Sequence, residues 1–413
     1  MKFLKYIFII LTYLPLFAGN GSVYSRFGYG ELINTNSARR LGMGGLGSAV
    51  TDAANLGSFN PAGWHTINLM RFDFGLNYQG INASTTNNST YSADYSFSGF
   101  TLGIPVQKDY GIAIVGGLQP VTEIDYSVVE ELSNDIIGDY NAYYKGNGGL
   151  SKAFIGASYI TPIGVVIGGS FDYFSGKIEY SSETEFRSGV NLSNTKFTNQ
   201  LKNRGAGFTA GIMTPDMSEF VSLGTIKDIR FAASLSYVSK LNADTAFITS
   251  SPAVGSKVTD DATVEVKIPM KLAFGLSFKV NNRYLIALDY LHQPWSKYEF
   301  NGSKSPYLRD LMKISAGMEY ADRSKKFGSF WEQMIFRCGL SYEQTQYEIN
   351  NEGINQYSIH GGASFPISPG NTLDIGLQFG IRGTTDSDLI KENIYRATVT
   401  LSFGELWFIR QER

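Results

Sequence analysis

The sequence predicts an all-β fold, a transmembrane antiparallel β-barrel of about fourteen strands with its N-terminal segment inside the lumen. Three observations lead there. Apolar and polar residues alternate with period two over long stretches. Only 17% of the 413 residues are charged while 14% are aromatic, which suits a lipid-facing band between two aromatic girdles. Short connections also alternate with long polar ones, as they do when a barrel has a periplasmic and an extracellular end.

The first element is not a strand. Lys2 and Lys5 precede an apolar run from Tyr6 to Phe17, and the small residues Ala18 and Gly19 follow. This predicts a secretory signal peptide over residues 1–19. The run is too short for a spanning helix, and no later stretch reaches the roughly 18 apolar residues that one needs. A membrane crossing must therefore use strands. Cys338 is the single cysteine and it does not follow the apolar run, so neither a disulfide framework nor a lipid-modified N-terminus is expected. His65, His292 and His360 are scattered, so no metal or other cofactor is expected. A net charge of -2 gives no reason to expect nucleic acid as a partner.

Strands are expected near 69–81, 90–106, 110–126, 145–160, 164–182, 200–214, 228–240, 262–280, 283–300, 309–321, 331–348, 354–367, 371–382 and 391–404. The alternation is clearest late in the chain, where Leu373, Ile375, Leu377, Phe379 and Ile381 interleave with Thr372, Asp374, Gly376, Gln378 and Arg382. The barrel thus occupies 69–404, with a periplasmic tail at 405–413. An even strand count leaves both termini on the periplasmic side. The connections Gln107-Lys108-Asp109, Thr161-Pro162-Ile163-Gly164, Asn281-Asn282 and Ser368-Pro369-Gly370 are short and fall where periplasmic turns belong. Residues 127–144, 183–199 and 241–261 are long and polar and are expected as extracellular loops.

Residues 20–68 do not alternate. They are small and glycine-rich through Ser37-Ala38-Arg39-Arg40-Leu41-Gly42-Met43-Gly44-Gly45-Leu46-Gly47 and then reach Asn60-Pro61-Ala62-Gly63. A compact segment of this kind ahead of a barrel is expected to fold into the lumen as a plug.

These stretches resemble the FadL-type outer-membrane hydrophobic-compound transporters. The Arg40-Leu41-Gly42-Met43 stretch followed by Asn60-Pro61-Ala62 looks like that family's N-terminal hatch. The run from Ile268-Pro269 to Phe300, with Leu272 to Leu276, Ala287-Leu288-Asp289-Tyr290 and Trp295-Ser296, resembles its middle strands, and Ser315 to Tyr320 and Arg337 to Tyr342 its next two. The opening Ser22 to Gly28 and the tail Trp407-Phe408-Ile409-Arg410 look like members from Bacteroidota-type bacteria. The resemblance implies a Gram-negative outer-membrane channel for passive uptake of small hydrophobic molecules, fatty-acid-like or aromatic, by hatch opening and lateral exit. Its partners would be that solute and membrane lipid or detergent, with the barrel acting as a monomer. Arg40, Leu41, Met43, Asn60, Pro61 and Ala62 would then form the hatch and its latch. Some barrels resembling this family dock a protein partner in type 9 secretion, which is the alternative reading.

The lateral exit needs a bent strand. The third expected strand reads Ile112-Ala113-Ile114-Val115-Gly116-Gly117-Leu118-Gln119-Pro120. Pro120 cannot donate a ladder hydrogen bond, and Gly116 and Gly117 tolerate a bulge. The Asn60-Pro61-Ala62 turn is expected to latch against this strand near the two glycines. Alternation aims Asp73, Lys152, Asp172, Arg230, Lys271, Asp289, Lys313, Glu319, Arg337, Asp374, Arg382 and Arg396 into the lumen, as a salt-bridge mesh around the plug. Phe154, Val166, Phe174 and Leu285 share that face and are candidates for an apolar ligand pocket. Neither a phosphate-binding Gly-Lys-Ser/Thr loop nor a Gly-x-Ser-x-Gly elbow occurs, and Asp289 and His292 fall on opposite strand faces, so no enzymatic activity is expected.

Overall fold

Fourteen strands close into one antiparallel barrel, as the alternation predicts. The computed structural model describes residues 21–405 except 58, 135–137, 187–193, 221–223, 253–254, 323–328 and 369. The expected signal peptide and the chain beyond Glu405 lie outside the described residues.

The wall strands are β1 (Met70–Ser84), β2 (Ser89–Gln107), β3 (Ile112–Asn134), β4 (Gly138–Ile160), β5 (Val166–Phe186), β6 (Thr195–Met213) and β7 (Ile226–Ser251). They continue with β8, in two pieces (Gly255–Lys267 and Lys271–Val280), then β9 (Tyr284–Gln293), β10 (Leu311–Tyr320), β11 (Ile335–Ile349), β12 (Glu352–Ser368), β13 (Asn371–Arg382) and β14 (Lys391–Glu405). Each pairs with its neighbour in sequence, and β14 returns to β1 from Lys391↔Ser84 to Glu405↔Met70. The expected tail therefore begins too early at 405, since Glu405 is still paired wall. β8 is interrupted at Ile268-Pro269-Met270, where Pro269 has no N–H to give, and both pieces pair with β7.

Alternation sorts the two faces. Buried and exposed positions alternate down β10, from Leu311 to Tyr320, and down β13. The outward side carries a ring of exposed apolar residues that includes Leu76, Ile114, Ile155, Phe171, Phe231, Leu288, Ile314, Leu340, Ile359 and Leu377. Leu340 is 62% exposed and Ile155 61%. On a water-soluble protein such a belt would be an aggregation surface; on a barrel it is the lipid-contacting band. No helix among the described residues is long and apolar enough to cross a membrane.

The short turns fall at one end, at 108–111, 161–165 and 281–283. At the other end the expectation of long loops needs correction. Residues 127–144 and 241–261 are mostly strand, because β3 and β4 run 23 residues each and β7 runs 26. Much of 183–199 is strand as well. These hairpins extend past the membrane, where water wets both faces, so their polar composition is that of an exposed sheet. β9 also ends earlier than expected, at Gln293, and Trp295–Lys297 form a single helical turn after Pro294.

Cys338 is exposed on β11 between outward-facing Phe336 and Leu340, while Arg337 points inward. In intact membranes it should react with a lipid-soluble maleimide and resist a charged, impermeant one, read by mass shift. Ready labelling by the charged reagent would contradict the register, since a one-residue slip exchanges the faces.

Candidate functional site

The N-terminal segment meets the wall at points spread around the whole ring, a set that a segment outside the barrel could not touch. Ser22 Oγ donates to the Glu392 carboxylate on β14 at 2.9 Å, and Gly21 N–H donates to Asp125 Oδ2 on β3 at 2.7 Å. The single-turn helix Ala38–Leu41 packs on β12, β13 and β14. The backbone N–H groups of Gly47 and Ser48 donate to the two carboxylate oxygens of Asp289 on β9, at 3.0 and 2.7 Å. Trp64 stacks on Phe154 of β4 with ring centroids 6.1 Å apart.

The ion pairs of the inner wall fasten this segment. Arg39 binds Glu319 on β10 at 2.8 Å and Asp52 at 2.8 Å. Glu319 also takes Arg337 at 2.9 Å, and Arg337 reaches Asp374 at 2.8 Å. A second cluster joins Glu31 to Arg382 at 3.3 Å and Arg396 at 3.2 Å, with Arg382 held by Glu392 at 2.9 Å. Charges this buried are tolerable only when paired and hydrogen-bonded.

The residues expected in the hatch fall as follows. Arg40 donates to the carbonyl oxygens of Leu46, Gly47 and Val50, which folds residues 46–50 back on themselves. Leu41 is fully buried, and Met43 packs with Val50 and Leu285. Asn60 Oδ1 accepts from Ala62 N–H at 3.0 Å while its Nδ2 donates to Ser48 O at 2.9 Å, and Pro61 begins a helical turn to Thr66. This turn does not sit at Gly116 and Gly117, as the sequence reading expected. It lies against Gly168 on β5 and Gly211 on β6, where a side chain would collide with Pro61 and Asn60. It also reaches β3 directly, where Trp64 shares an apolar cluster with Ala113, Val115 and Phe154.

The expected ligand pocket also needs correction. Phe154, Val166 and Leu285 are occupied by the segment itself: Phe154 by Trp64, Val166 by Ala49 and Ala62, and Leu285 by Met43 and Val50. Only Phe174 lines open space. That space is a cavity of about 90 Å³ with apolar walls from Leu32, Phe59, Leu150, Phe174, Ile268 and Trp295. Lys152, Asp172 and Lys271 also face it. Trp295, which the alternation places near the end of a strand, instead sits in a helical turn and lines this cavity.

The cavity abuts an interruption in the wall. The β2–β3 ladder runs from Gln107↔Ile112 to Phe100↔Leu118 and stops there. Above that point β2 pairs only with β1 and β3 only with β4 among wall strands. β3 has a register shift between Pro120 and Thr122, and β2 one at Gly75/Leu76 with Gly99 at φ +136°, a backbone that favours glycine. The freed edge of β3 is partly covered from inside by a two-residue strand, with Glu31↔Glu123 and Leu32↔Thr122, and by Ile33 N–H donating to Val121 O at 2.9 Å. Pro120, Val121 and Thr122 border the cavity.

The family model described as BamG matches residues 1–412. The chain belongs to the BamG family. No curated protein matches this BamG-family chain in sequence. Among solved structures it is similar to the P. putida toluene transporter TodX (TM-score 0.61, 16% identity, 91% of this chain and 99% of that one). The Ralstonia pickettii toluene transporter TbuX (0.60, 16%, 90% and 99%) and a Pseudomonas aeruginosa FadL homologue (0.57, 12%, 90% and 98%) are likewise similar. These likenesses establish a shared FadL-type barrel fold for this BamG-family member.

Removing the charge of Glu319 leaves Arg39 and Arg337 buried around a neutral amide. Each keeps a second carboxylate, Asp52 and Asp374, so Glu319→Gln should destabilise the folded barrel by about 1–3 kcal/mol, read as a lower urea midpoint in detergent micelles. A midpoint within error of the parent would mean that the mesh does not fasten the segment.

Proposed function

We propose that this chain is an outer-membrane path for passive, energy-independent uptake of small hydrophobic molecules in a Gram-negative bacterium. The observation that carries this reading is the coincidence of cavity and interruption. The cavity borders Pro120, Val121 and Thr122, and the wall ladder fails beside them, above Leu118. An apolar solute resting there can leave sideways into lipid without meeting water, which avoids a cost of roughly 25 cal/mol per Å² of apolar surface. The likeness in fold to a toluene transporter and a monoaromatic hydrocarbon channel supports the reading.

In this proposal residues 38–66 act as the anchored body of the hatch. Arg40, Leu41 and Met43 hold its centre, and Asn60, Pro61 and Ala62 hold its end against β5 and β6. The bend at Pro120 forms the exit, and Gly116 and Gly117 keep the wall beneath it free of side chains. The moving part is the cover over the β3 edge, residues 32–36.

A disulfide across Leu32↔Thr122, made by Leu32→Cys and Thr122→Cys in a Cys338→Ser background, tests this. In proteoliposomes, entry of labelled toluene should fall about tenfold or more when the pair is oxidised and recover on reduction. Equal flux in both states would remove the gate from this position.

A further inference from the structure

Beyond the last β2–β3 pair, three carboxylates converge on one small cavity. They are Asp94 on β2 and Glu123 and Asp125 on β3, and Gly21, Ser22 and Ser25 of the N-terminal segment border the same space. Glu31 borders it too, but Arg382 and Arg396 hold that carboxylate. Among the described residues no basic side chain forms an ion pair with Asp94, Glu123 or Asp125. Like charges gathered out of bulk water are costly without a counter-charge. The cavity holds about 10 Å³, room for one water-sized group and no organic ligand. Among the described residues no three acidic or imidazole side chains stand close enough together to hold a metal ion. A group carrying several N–H donors can still reach such carboxylates one by one, and the chain itself brings one.

Gly21 N–H donates to Asp125 Oδ2 at 2.7 Å, and Ser25 Oγ donates to the Asp125 carbonyl at 3.2 Å. Ser22 Oγ and Val23 N–H donate to Glu392 on β14, at 2.9 and 3.0 Å. Residues 21–25 are thus a strap from β3 to β14. Between those strands lie β1, β2 and the interruption, so the strap spans the interruption from inside. The signal-peptide reading ends at Gly19. Hydrolysis of the Gly19–Asn20 bond leaves a carboxylate on Gly19 and a free α-ammonium on Asn20, one Cα step of about 3.8 Å before Gly21. We propose that the acidic cavity is the docking site of this chain's own processed N-terminus. The Asn20 ammonium supplies the charge that Asp94, Glu123 and Asp125 lack, and the strap seats fully only after the signal peptide has gone. In the precursor the same nitrogen is a neutral amide carrying residues 1–19, which a cavity of this size does not admit. The inference rests on the signal-peptide reading and is independent of which solute passes.

The test is amide hydrogen exchange of the N-terminal peptide, read by mass, in full barrels purified in detergent micelles. Asn20→Gln puts glutamine at the processed terminus, where it cyclises to pyroglutamate with loss of ammonia and so loses the charge. The amides of Gly21 and Val23 should then exchange about tenfold faster than in the parent, as loss of a hydrogen bond to a charged group predicts. The triple variant Asp94→Asn, Glu123→Gln, Asp125→Asn keeps acceptor oxygens and should speed exchange equally. Adding Asn20→Gln to it should change nothing further, because the two ends of one interaction are not additive. Asp125→Asn alone replaces the triple variant if heat-modifiable gel mobility shows that the latter does not assemble. Parent-like exchange in Asn20→Gln overturns the proposal, as does a mature chain that still carries residues 1–19. Faster exchange of the parent in a chelator, with none in Asn20→Gln, assigns the cavity to a metal ion and also overturns it.

Discussion

The hydrocarbon of a bilayer accepts no unsatisfied backbone N–H or C=O, and the unbroken ladder between β14 and β1 is how this chain meets that condition. Once the sheet closes there, the wall is a continuous ring below the β2–β3 interruption, and its residues face either lipid or lumen. Period-two alternation follows, with Phe336, Cys338 and Leu340 outward and Arg337 inward. The lumen of fourteen strands is too wide for wall side chains alone to fill. The N-terminal segment occupies part of it, and wall glycines provide the sockets. Met43 backbone lies over Gly317 and Ala38 over Gly376, where any side chain would collide with the segment. At these positions glycine is a requirement of the inner surface, a matter of close approach.

Against that background, the failed ladder between β2 and β3 stands out. Both strands continue past Leu118 but no longer toward each other. Free strand edges at membrane depth are tolerated only where something else satisfies them. Here Ile33 N–H meets the Val121 carbonyl that the bulge leaves over. The cover over the interruption thus meets part of the edge that the wall defect leaves open.

Strand number, order and most boundaries were legible because alternation is a local property that survives without knowledge of neighbours. Legibility failed wherever the answer depended on register between distant parts. Residues 127–144 look like loop because above the membrane both faces of a hairpin are wet and alternation fades. Asn60-Pro61-Ala62 was readable as a tight turn, but which wall it touches depends on how residues 38–59 coil through the lumen. Phe154, Val166 and Leu285 were correctly aimed inward, yet the sequence does not say that Trp64, Ala62 and Met43 have taken those places. Trp295 carried one overlooked signal, a large aromatic directly after Pro294 at the end of a strand, where a chain that turns inward buries it.

The anchors also decide which part of the segment can yield. Arg39 and Glu319 are almost wholly buried, and separating them would strand charges at a cost of several kcal/mol. Asp289 adds two charge-assisted bonds to residues 47 and 48. Glu31 is pinned by Arg382 and Arg396 at the other side. Between these fixed points residues 32–36 are only partly buried although they lie inside the barrel, and Asn34 borders three separate cavities. Neutral hydrogen bonds of about 1 kcal/mol each, such as Ile33 to Val121, are what holds this stretch to the β3 edge. Wholesale exit of the segment would break the ion-pair mesh, whereas a shift of these five residues breaks only weak contacts and exposes the interruption in the wall. Of the contacts that hold the segment to the wall, those of residues 32–36 are therefore the weakest.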